Sequence, residues 1–238
     1  MHLFSILLAV GALAGLVLLS WRAPQKERMR YVDAGVVTLV GALVGGRAFS
    51  VAVNLKYYSA HPGEILQVWM GGLSGIGALV GGVLAILILA ILWRLTLGPF
   101  ADALLPLAGT MAIAAWMGCW LDACSYGFTS NAWWALPSGD EWGMIANRIP
   151  VQLMGAMATL IVIWLLDWSG RRLPIRGSGA AMGLFGMSAV LFGLSYLRAD
   201  PTPIWNGLRL DAWGALGLMA FSALSLVVLL LYCIFRKK

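Results

Sequence analysis

Residues Trp69 to Leu95 read WMGGLSGIGALVGGVLAILILAILWRL, and Arg94 is the one charged residue among them. About 20 consecutive apolar residues are enough for a helix to cross the roughly 30 Å hydrocarbon layer of a bilayer. Six further apolar runs occur along the chain: Leu3–Trp21, Val32 to about Leu55, Ala101–Leu121, Pro150–Trp168, Gly179–Leu197 and Asp211–Phe235. The sequence therefore predicts an all-α integral membrane protein of about seven transmembrane helices, forming a single domain over residues 1–238.

Composition supports a membrane protein and excludes an ordinary soluble domain. The chain is 61% hydrophobic and only 11% charged, whereas soluble domains carry about 25% charged residues. Its formal charge of +6 comes from short basic clusters between the apolar runs, which favours contacts with lipid headgroups over a nucleic-acid partner. The first run has no basic region before it and no small-x-small site after it, so we expect a retained helix, not a cleaved signal peptide.

The basic residues also predict the orientation. With the N-terminus outside, eleven of the 16 lysines and arginines fall on the cytoplasmic side: Arg22, Lys26, Arg28, Arg30, Arg94, Arg171, Arg172, Arg176, Arg236, Lys237 and Lys238. The outer side then holds the rest: Arg47, Lys56, Arg148, Arg198 and Arg209. The positive-inside rule favours this arrangement and a cytoplasmic C-terminus.

Three arginines, Arg47, Arg148 and Arg198, lie at or near the outer ends of predicted helices. An arginine inside a membrane segment is costly and normally faces a partner or a water-filled cavity. Arg47 could extend its side chain to the outer interface. Alternatively, the three guanidinium groups converge on one anionic lipid headgroup, because their planar forks match phosphate.

Few other residues are candidates for chemistry. His61 in the polar segment after the second run, and Asp122 at the outer end of the fourth, are weak candidates for proton transfer. Asp102 begins the fourth run, where a carboxylate favours the helix dipole, and Asp33 can be interpreted likewise. The sequence has no Ser/His/Asp set, phosphate-binding P-loop or metal-ligand spacing, so we predict no metal and no cofactor.

The segment 122–149 is a long polar and aromatic connection on the predicted outer side. Trp133, Trp134 and Trp142 within it fit an aromatic belt at the membrane surface. Cys119 lies just before this segment and Cys124 lies near its start. The two cysteines either form a disulfide in an oxidising compartment or act as small packing residues.

Several stretches together resemble the prolipoprotein diacylglyceryl transferase family. They are Gly45–Arg47, Gln67–Ser74 with the glycine-rich helix after it, Ala101–Pro106, Gly118–Gly127, Arg148–Leu153 and Leu197-Arg198. Arg148-Ile149-Pro150-Val151-Gln152-Leu153 is similar to the family's Arg-His-Pro-x-Gln-Leu-Tyr-Glu motif. The order and spacing extend from about Asp33 to Leu216.

This resemblance implies a reaction in a bacterial inner membrane. The family transfers the diacylglyceryl group of phosphatidylglycerol to the lipobox cysteine of a prolipoprotein, and glycerol phosphate leaves. The partners it implies are phosphatidylglycerol, or another anionic phospholipid, and a prolipoprotein signal-peptide segment. The residues that it places at the phospholipid are Arg47, Arg148, Arg198, Gln152, Asp102 and Ser74.

The chain departs from the family at positions that carry chemistry. Ile76 follows Ser74-Gly75 where the family has histidine, and Trp116 replaces an essential arginine. Ile149, Met154-Gly155 and Ser5 replace a histidine, a Tyr-Glu pair and a tyrosine. We therefore expect a divergent transferase. The alternative is a catalytically impaired protein that binds a phospholipid or signal peptide on the same scaffold. A solute transporter is disfavoured, since the sequence lacks repeated halves with broken helices.

Overall fold

A computed structural model describes residues 3–68, 71–170 and 175–236 of the chain. Within these residues, seven helices are long and apolar enough to cross a membrane. The α-helices are α1 (Leu3–Arg22), α2 (Arg28–Val53), the short α3 (Leu55–Ala60), α4 (Gly75–Leu92), α5 (Leu97–Leu121), α6 (Val151–Gly170), α7 (Ser178–Ser195) and α8 (Leu210–Arg236). The predicted helical membrane architecture of about seven spans is thereby confirmed.

The helices pack in pairs around α5. α1 packs along α5, α2 along α4 and α7 along α8, while α5 also contacts α6 and α7. Glycines permit the closest of these approaches: a Cβ atom on Gly45 of α2 would lie 2.5 Å from the carbonyl oxygen of Gly77 on α4. Lipid supplies no hydrophobic force between helices, so close packing of small residues holds the α2–α4 pair together.

Two short antiparallel hairpins accompany the helices. β1 (Leu136–Gly139) pairs with β2 (Ile145–Arg148), and β3 (Ile204–Trp205) pairs with β4 (Leu208–Arg209). The first hairpin lies inside the polar and aromatic segment 122–149, for which no strand was predicted. β1 contains a proline and a glycine, both depleted in strands, so its sequence predicts no strand.

The helix boundaries differ from the predicted ones in two instructive places. α4 begins at Gly75, not at Trp69, since Gly71 and Gly72 adopt positive φ angles of 89° and 69° that suit a loop. Ser74 caps α4, and its side chain accepts a hydrogen bond from the amide of Gly77. α5 begins at Leu97, so Asp102 lies in its second turn and not at its start.

An odd number of spans, seven among the described residues, would place the start of α1 and the end of α8 on opposite membrane faces. The orientation relative to the cytoplasm stays a prediction, as does the single-domain boundary. Four of the basic residues on which the orientation depends, Arg171, Arg172, Lys237 and Lys238, lie outside the described residues, as does Trp69 with Met70.

Candidate functional site

The extended segment 126–130 joins Arg148 to Arg198. Gly127 forms an antiparallel bridge with Arg198, and Thr129 forms one with Arg148. The Phe128 amide donates to the Leu197 carbonyl at 3.2 Å, and the Ile149 amide donates to the Phe128 carbonyl at 2.9 Å. Residues two apart on an extended strand point to the same face, as do their bridge partners. The two arginines predicted to act together are therefore brought to one face of a small sheet.

Arg148, at the end of β2, is almost fully buried, with 8% of its surface exposed. Its Nη2 donates to Asp140 Oδ2 at 2.9 Å and its Nη1 to the Gly127 carbonyl at 3.5 Å. The guanidinium lies over the Tyr126 ring, with Cζ 4.7 Å from the centroid. Asp140 thus balances the charge of Arg148, and the aromatic face holds the fork in one plane.

Tyr126 connects this pair to further carboxylates. Its hydroxyl donates to Glu141 Oε2. Burial, the hydrogen bond to Glu141 and the charges of Glu141, Asp140 and Asp200 raise the pKa of Tyr126 to about 12. Each of these effects disfavours a phenolate, so the hydroxyl stays a proton donor at every physiological pH.

Arg198 belongs to a network of two arginines and two aspartates. Its Nε and Nη2 bind Asp200 at 2.8 and 2.6 Å, and its Nη1 binds Asp211 at 2.8 Å. Arg209 binds the same two carboxylates, at 3.1 Å to Asp200 and 3.2 Å to Asp211. Burial lowers the pKa of Arg198, but the hydrogen bond and charge of Asp200, with the charge of Asp211, raise it more.

The partners in this network were missed from the sequence, although a signal was present. Arg198-Ala199-Asp200 and Arg209-Leu210-Asp211 repeat an Arg-x-Asp spacing across one connection. Two such units at the two ends of one connection can exchange partners, as Arg198 with Asp211 and Arg209 with Asp200 do here. The network carries no net charge, so an anion binding Arg198 would have to compete with an aspartate.

Arg47 is held differently from the other two arginines. Its five N–H donors go to backbone carbonyls of one loop: Glu64 (2.6 Å), Ile65 (2.9 Å), Gln67 (3.4 Å), Gly71 (2.7 Å) and Gly72 (3.2 Å). Only 7% of the residue is exposed, and its Cζ lies 5.1 Å from the Tyr58 ring centroid. All five donors of Arg47 are therefore satisfied within the protein. Arg47 organises the loop before α4, and a phosphate could bind it only by displacing carbonyls.

Gln152 lies in the first turn of α6 with its side chain fully buried. Its Nε2 donates to the Cys124 carbonyl at 3.0 Å. Cys124 forms a disulfide with Cys119. Of the two possibilities for these cysteines, a disulfide or small packing residues, the structure has the disulfide. The disulfide and Gln152 thus hold the turn that leads to Tyr126 from both sides.

Asp102 does not belong to the layer that holds Arg148 and Arg198. Its two carboxylate oxygens accept from the amides of Gly177 and Ala180 at 2.6 and 2.7 Å, at the start of α7. Arg198 follows the other end of α7, which is 18 residues long and so spans about 27 Å. Asp102 caps α7 by satisfying its free amides, and we leave it out of the phospholipid site.

The remaining candidates have local partners. The Ser74 amide donates to the Gly46 carbonyl at 3.1 Å, which fixes the loop beside Arg47. His61 is exposed and stacks on Tyr57, with centroids 4.7 Å apart. The Tyr57 hydroxyl donates to Glu64 Oε2 at 2.8 Å, which raises the pKa of Tyr57. Asp122 is exposed directly after α5.

The two apolar residues that depart from the family pattern are packed in the core. Ile76 is 3% exposed and lies against Gly214, where an added Cβ would approach it to 2.5 Å. Trp116 is 8% exposed, and its ring occupies the space beside Gly155. Phe49, Ala215 and Leu218 surround Ile76. Neither side chain titrates or carries a charge.

Comparison with known proteins gives a consistent result. The sequence profile of the prolipoprotein diacylglyceryl transferase family matches residues 1–232. A phosphatidylglycerol–prolipoprotein diacylglyceryl transferase of Methylobacillus flagellatus is 26% identical over 242 residues, covering 95% of this chain and 91% of the relative. Phosphatidylglycerol–prolipoprotein diacylglyceryl transferase 2 of Streptomyces coelicolor is 31% identical over 225 residues, covering 89% of this chain and 70% of the relative.

Proposed function

The chain belongs to the prolipoprotein diacylglyceryl transferase family, and from that premise we propose that it transfers a diacylglyceryl group from phosphatidylglycerol to a prolipoprotein cysteine. The supporting observation is a family match that includes all of the first six membrane-spanning helices and most of the seventh. In this reaction a C–S thioether bond forms, the C–O bond to the phosphate breaks, and glycerol phosphate leaves. The protein must hold the phosphate and let the thiol lose its proton.

The phospholipid headgroup binds at the face shared by Arg148 and Arg198. Both guanidinium groups adjoin the segment 126–130 and are shielded from water, which strengthens their interaction with an anion. Arg47 supports the site by holding the loop before α4, and its hydrogen-bond partners among the described residues are backbone carbonyls, which do not neutralise its charge.

Binding without efficient catalysis is the second candidate, and a specific observation favours it. Ile76 and Trp116 are buried apolar residues at positions where the family resemblance implies a histidine and an arginine. Loss of one general acid or base typically costs 10²–10⁴ in rate. We therefore place turnover far below that of a relative that has both groups, with His61 or Asp122 as the candidates for proton transfer.

The chain is a multi-pass membrane protein. We place it in the bacterial cytoplasmic membrane with the Arg148–Arg198 face outside and the C-terminus in the cytoplasm. The second substrate would be the signal-peptide segment of a prolipoprotein, presenting its cysteine at the outer face. Metal ions, cofactors and nucleic acid have no part in this proposal.

Complementation distinguishes the two candidates in cells. A strain depleted of its own transferase would express this chain, with an inactive variant of a typical relative as the matched control. Slow rescue, with lipidated prolipoprotein visible by its mass, supports the transferase. Abundant membrane-inserted protein that yields no lipidated product contradicts it and favours the binding protein.

A further inference from the structure

The turn that follows α5 contains two residues in a left-handed backbone conformation. Ala123 and Ser125, on either side of Cys124, each have a φ angle of 54°. Left-handed conformations are unfavourable for residues that carry a Cβ, and the described part of the chain has only two other non-glycine residues with positive φ. Such residues persist only where the surrounding structure enforces them. The turn therefore needs contacts that hold it in place.

The first of these two residues belongs to the C-terminal cap of α5. Asp122 is the C-cap residue, Ala123 follows it, and the Cys124 amide donates to the Cys119 carbonyl at 3.0 Å. This is the hydrogen bond of a Schellman motif, in which the left-handed position after the C-cap is usually glycine. Alanine stands there in this chain, so the cap forms with a conformational strain that glycine would avoid.

The Cys119–Cys124 disulfide joins the same two residues as that hydrogen bond. It closes the turn covalently, whereas Gln152 contributes one hydrogen bond, from Nε2 to the Cys124 carbonyl at 3.0 Å. Both cysteines are partly exposed, and Asp122, which lies between them in the chain, is exposed. A disulfide in such a place is accessible to a dithiol in solution.

The segment 126–130 begins directly after this turn. The Ala199 amide donates to the Tyr126 carbonyl at 2.8 Å, and the Arg148 guanidinium lies over the Tyr126 ring. The same segment forms the antiparallel bridge with Arg198. The conformation of the turn thus sets the register in which the segment contacts the two arginines.

We propose that the Cys119–Cys124 disulfide is a redox-sensitive switch for the segment 126–130. A dithiol supplies two electrons and two protons: the S–S bond breaks, both cysteines become thiols, and the dithiol is oxidised to a disulfide. The two left-handed residues then relax to negative φ angles, and the segment loses its fixed contacts with the two arginines. Reoxidation restores them. This inference goes beyond the proposed function, since it concerns the order of the segment and not the reaction.

Hydrogen exchange of purified protein, with and without dithiothreitol, tests the switch. All samples carry Cys233→Ser, which removes the free cysteine, so that the reductant acts on the disulfide alone. Loss of a disulfide that closes a short loop predicts amide exchange about 10- to 100-fold faster in peptides that cover residues 124–131. Peptides from the α2–α4 pair should keep their exchange rates.

A glycine variant separates this switch from simple cross-linking. In Ala123→Gly/Ser125→Gly the turn adopts the same positive φ angles without a Cβ, so the effect of reduction on exchange should fall to about 3-fold or less. The second control, Cys119→Ser/Cys124→Ser, should exchange rapidly both with and without dithiothreitol. That result would show that the reductant acts through this disulfide.

Each other outcome contradicts the switch. Equal exchange in the oxidised and reduced protein would overturn it. Faster exchange along all helices would also overturn it, because the disulfide would then stabilise the whole fold and not one segment. A glycine variant that opens as much as the unmodified turn would contradict the role of the two left-handed residues, on which the switch depends. None of these measurements needs a substrate, so the switch and the proposed transfer can fail independently.

Discussion

The guanidinium of Arg148 lies over the ring of Tyr126, with Cζ 4.7 Å from the ring centroid, while the Tyr126 hydroxyl donates to Glu141. The arginine therefore contacts the face of the ring and the carboxylate contacts its edge. Burial and the Glu141 carboxylate raise the pKa of Tyr126 and keep it neutral, while the two contacts fix its ring beside the segment that joins Arg148 to Arg198.

Tyr126 should ionise far above its ordinary range. Its pKa is raised from 10.0 to about 12, first by burial and then by Glu141. Because the folded-state pKa is raised, the neutral Tyr126 side chain stabilises the folded protein fully below pH 10. This contribution to the free energy of unfolding is lost as the pH rises through about 12. The difference in phenolate absorbance between the unmodified protein and Tyr126→Phe, after rapid pH jumps, should show a transition near pH 12. A transition near pH 10 would contradict the burial and the Glu141 contact.

Replacing Arg47 should destabilise the loop before α4. Arg47→Met leaves five carbonyl contacts without a donor, which should cost about 3 kcal/mol or more. Hydrogen exchange should rise in peptides that cover residues 61–68 and 71–75. The control Arg22→Met removes an ion pair with Asp167 whose side chains are about half exposed, and such pairs contribute at most about 1 kcal/mol. Similar exchange in both variants would show that Arg47 does not organise the loop.

The α2–α4 contact should not tolerate a single added methyl group. A Cβ on Gly45 would meet the backbone oxygen of Gly77 at 2.5 Å, whereas a Cβ on Gly217 of α8 meets no atom within 4 Å. Gly45→Ala should lose about 1–3 kcal/mol through overpacking, and Gly217→Ala should be neutral or slightly stabilising. Thermal unfolding in the same detergent compares the two. Equal melting temperatures would contradict the close approach of these helices.

The disulfide and the orientation can be tested with one thiol assay. Cys119 and Cys124 are paired, and Cys233 near the end of α8 is free. Denatured protein should take up one maleimide without reductant and three after reduction. In intact cells stripped of the outer membrane, an impermeant reductant and an impermeant maleimide should label Cys119 and Cys124 from outside. Labelling of this pair only after the membrane is opened would reverse the predicted orientation.

The spans could be predicted from the sequence because lipid requires long apolar runs, and such runs are visible without any knowledge of tertiary contacts. The sheet could not, because Leu136-Pro137-Ser138-Gly139 has no strand pattern and forms β1 only by pairing with β2. Of the three arginines singled out from the sequence, Arg47 and Arg148 are buried and Arg198 is partly buried. The partners of Arg47 could not be predicted, since they are backbone carbonyls, which no sequence pattern marks.

Asp102 illustrates the same limit. A carboxylate near the start of an apolar run suggests a cap for its own helix. The helix in fact begins four residues earlier than predicted, and the side chain reaches α7, 75 residues away along the chain. A side chain can cap another helix only where the two helices are neighbours in the fold. No local sequence pattern around Asp102 indicates that α7 is its neighbour.

Transfer by purified protein tests the central claim most directly. The protein would be placed in nanodiscs of phosphatidylglycerol with a prolipoprotein peptide, and the mass of the peptide would report the added diacylglyceryl group. We predict that transfer occurs and depends on Arg148 and Arg198, at a rate lower by about 10²–10⁴ than that of a relative with the histidine and arginine. Bound phosphatidylglycerol with no transfer over many hours would contradict the transferase. A rate equal to that of the relative would contradict the importance of Ile76 and Trp116.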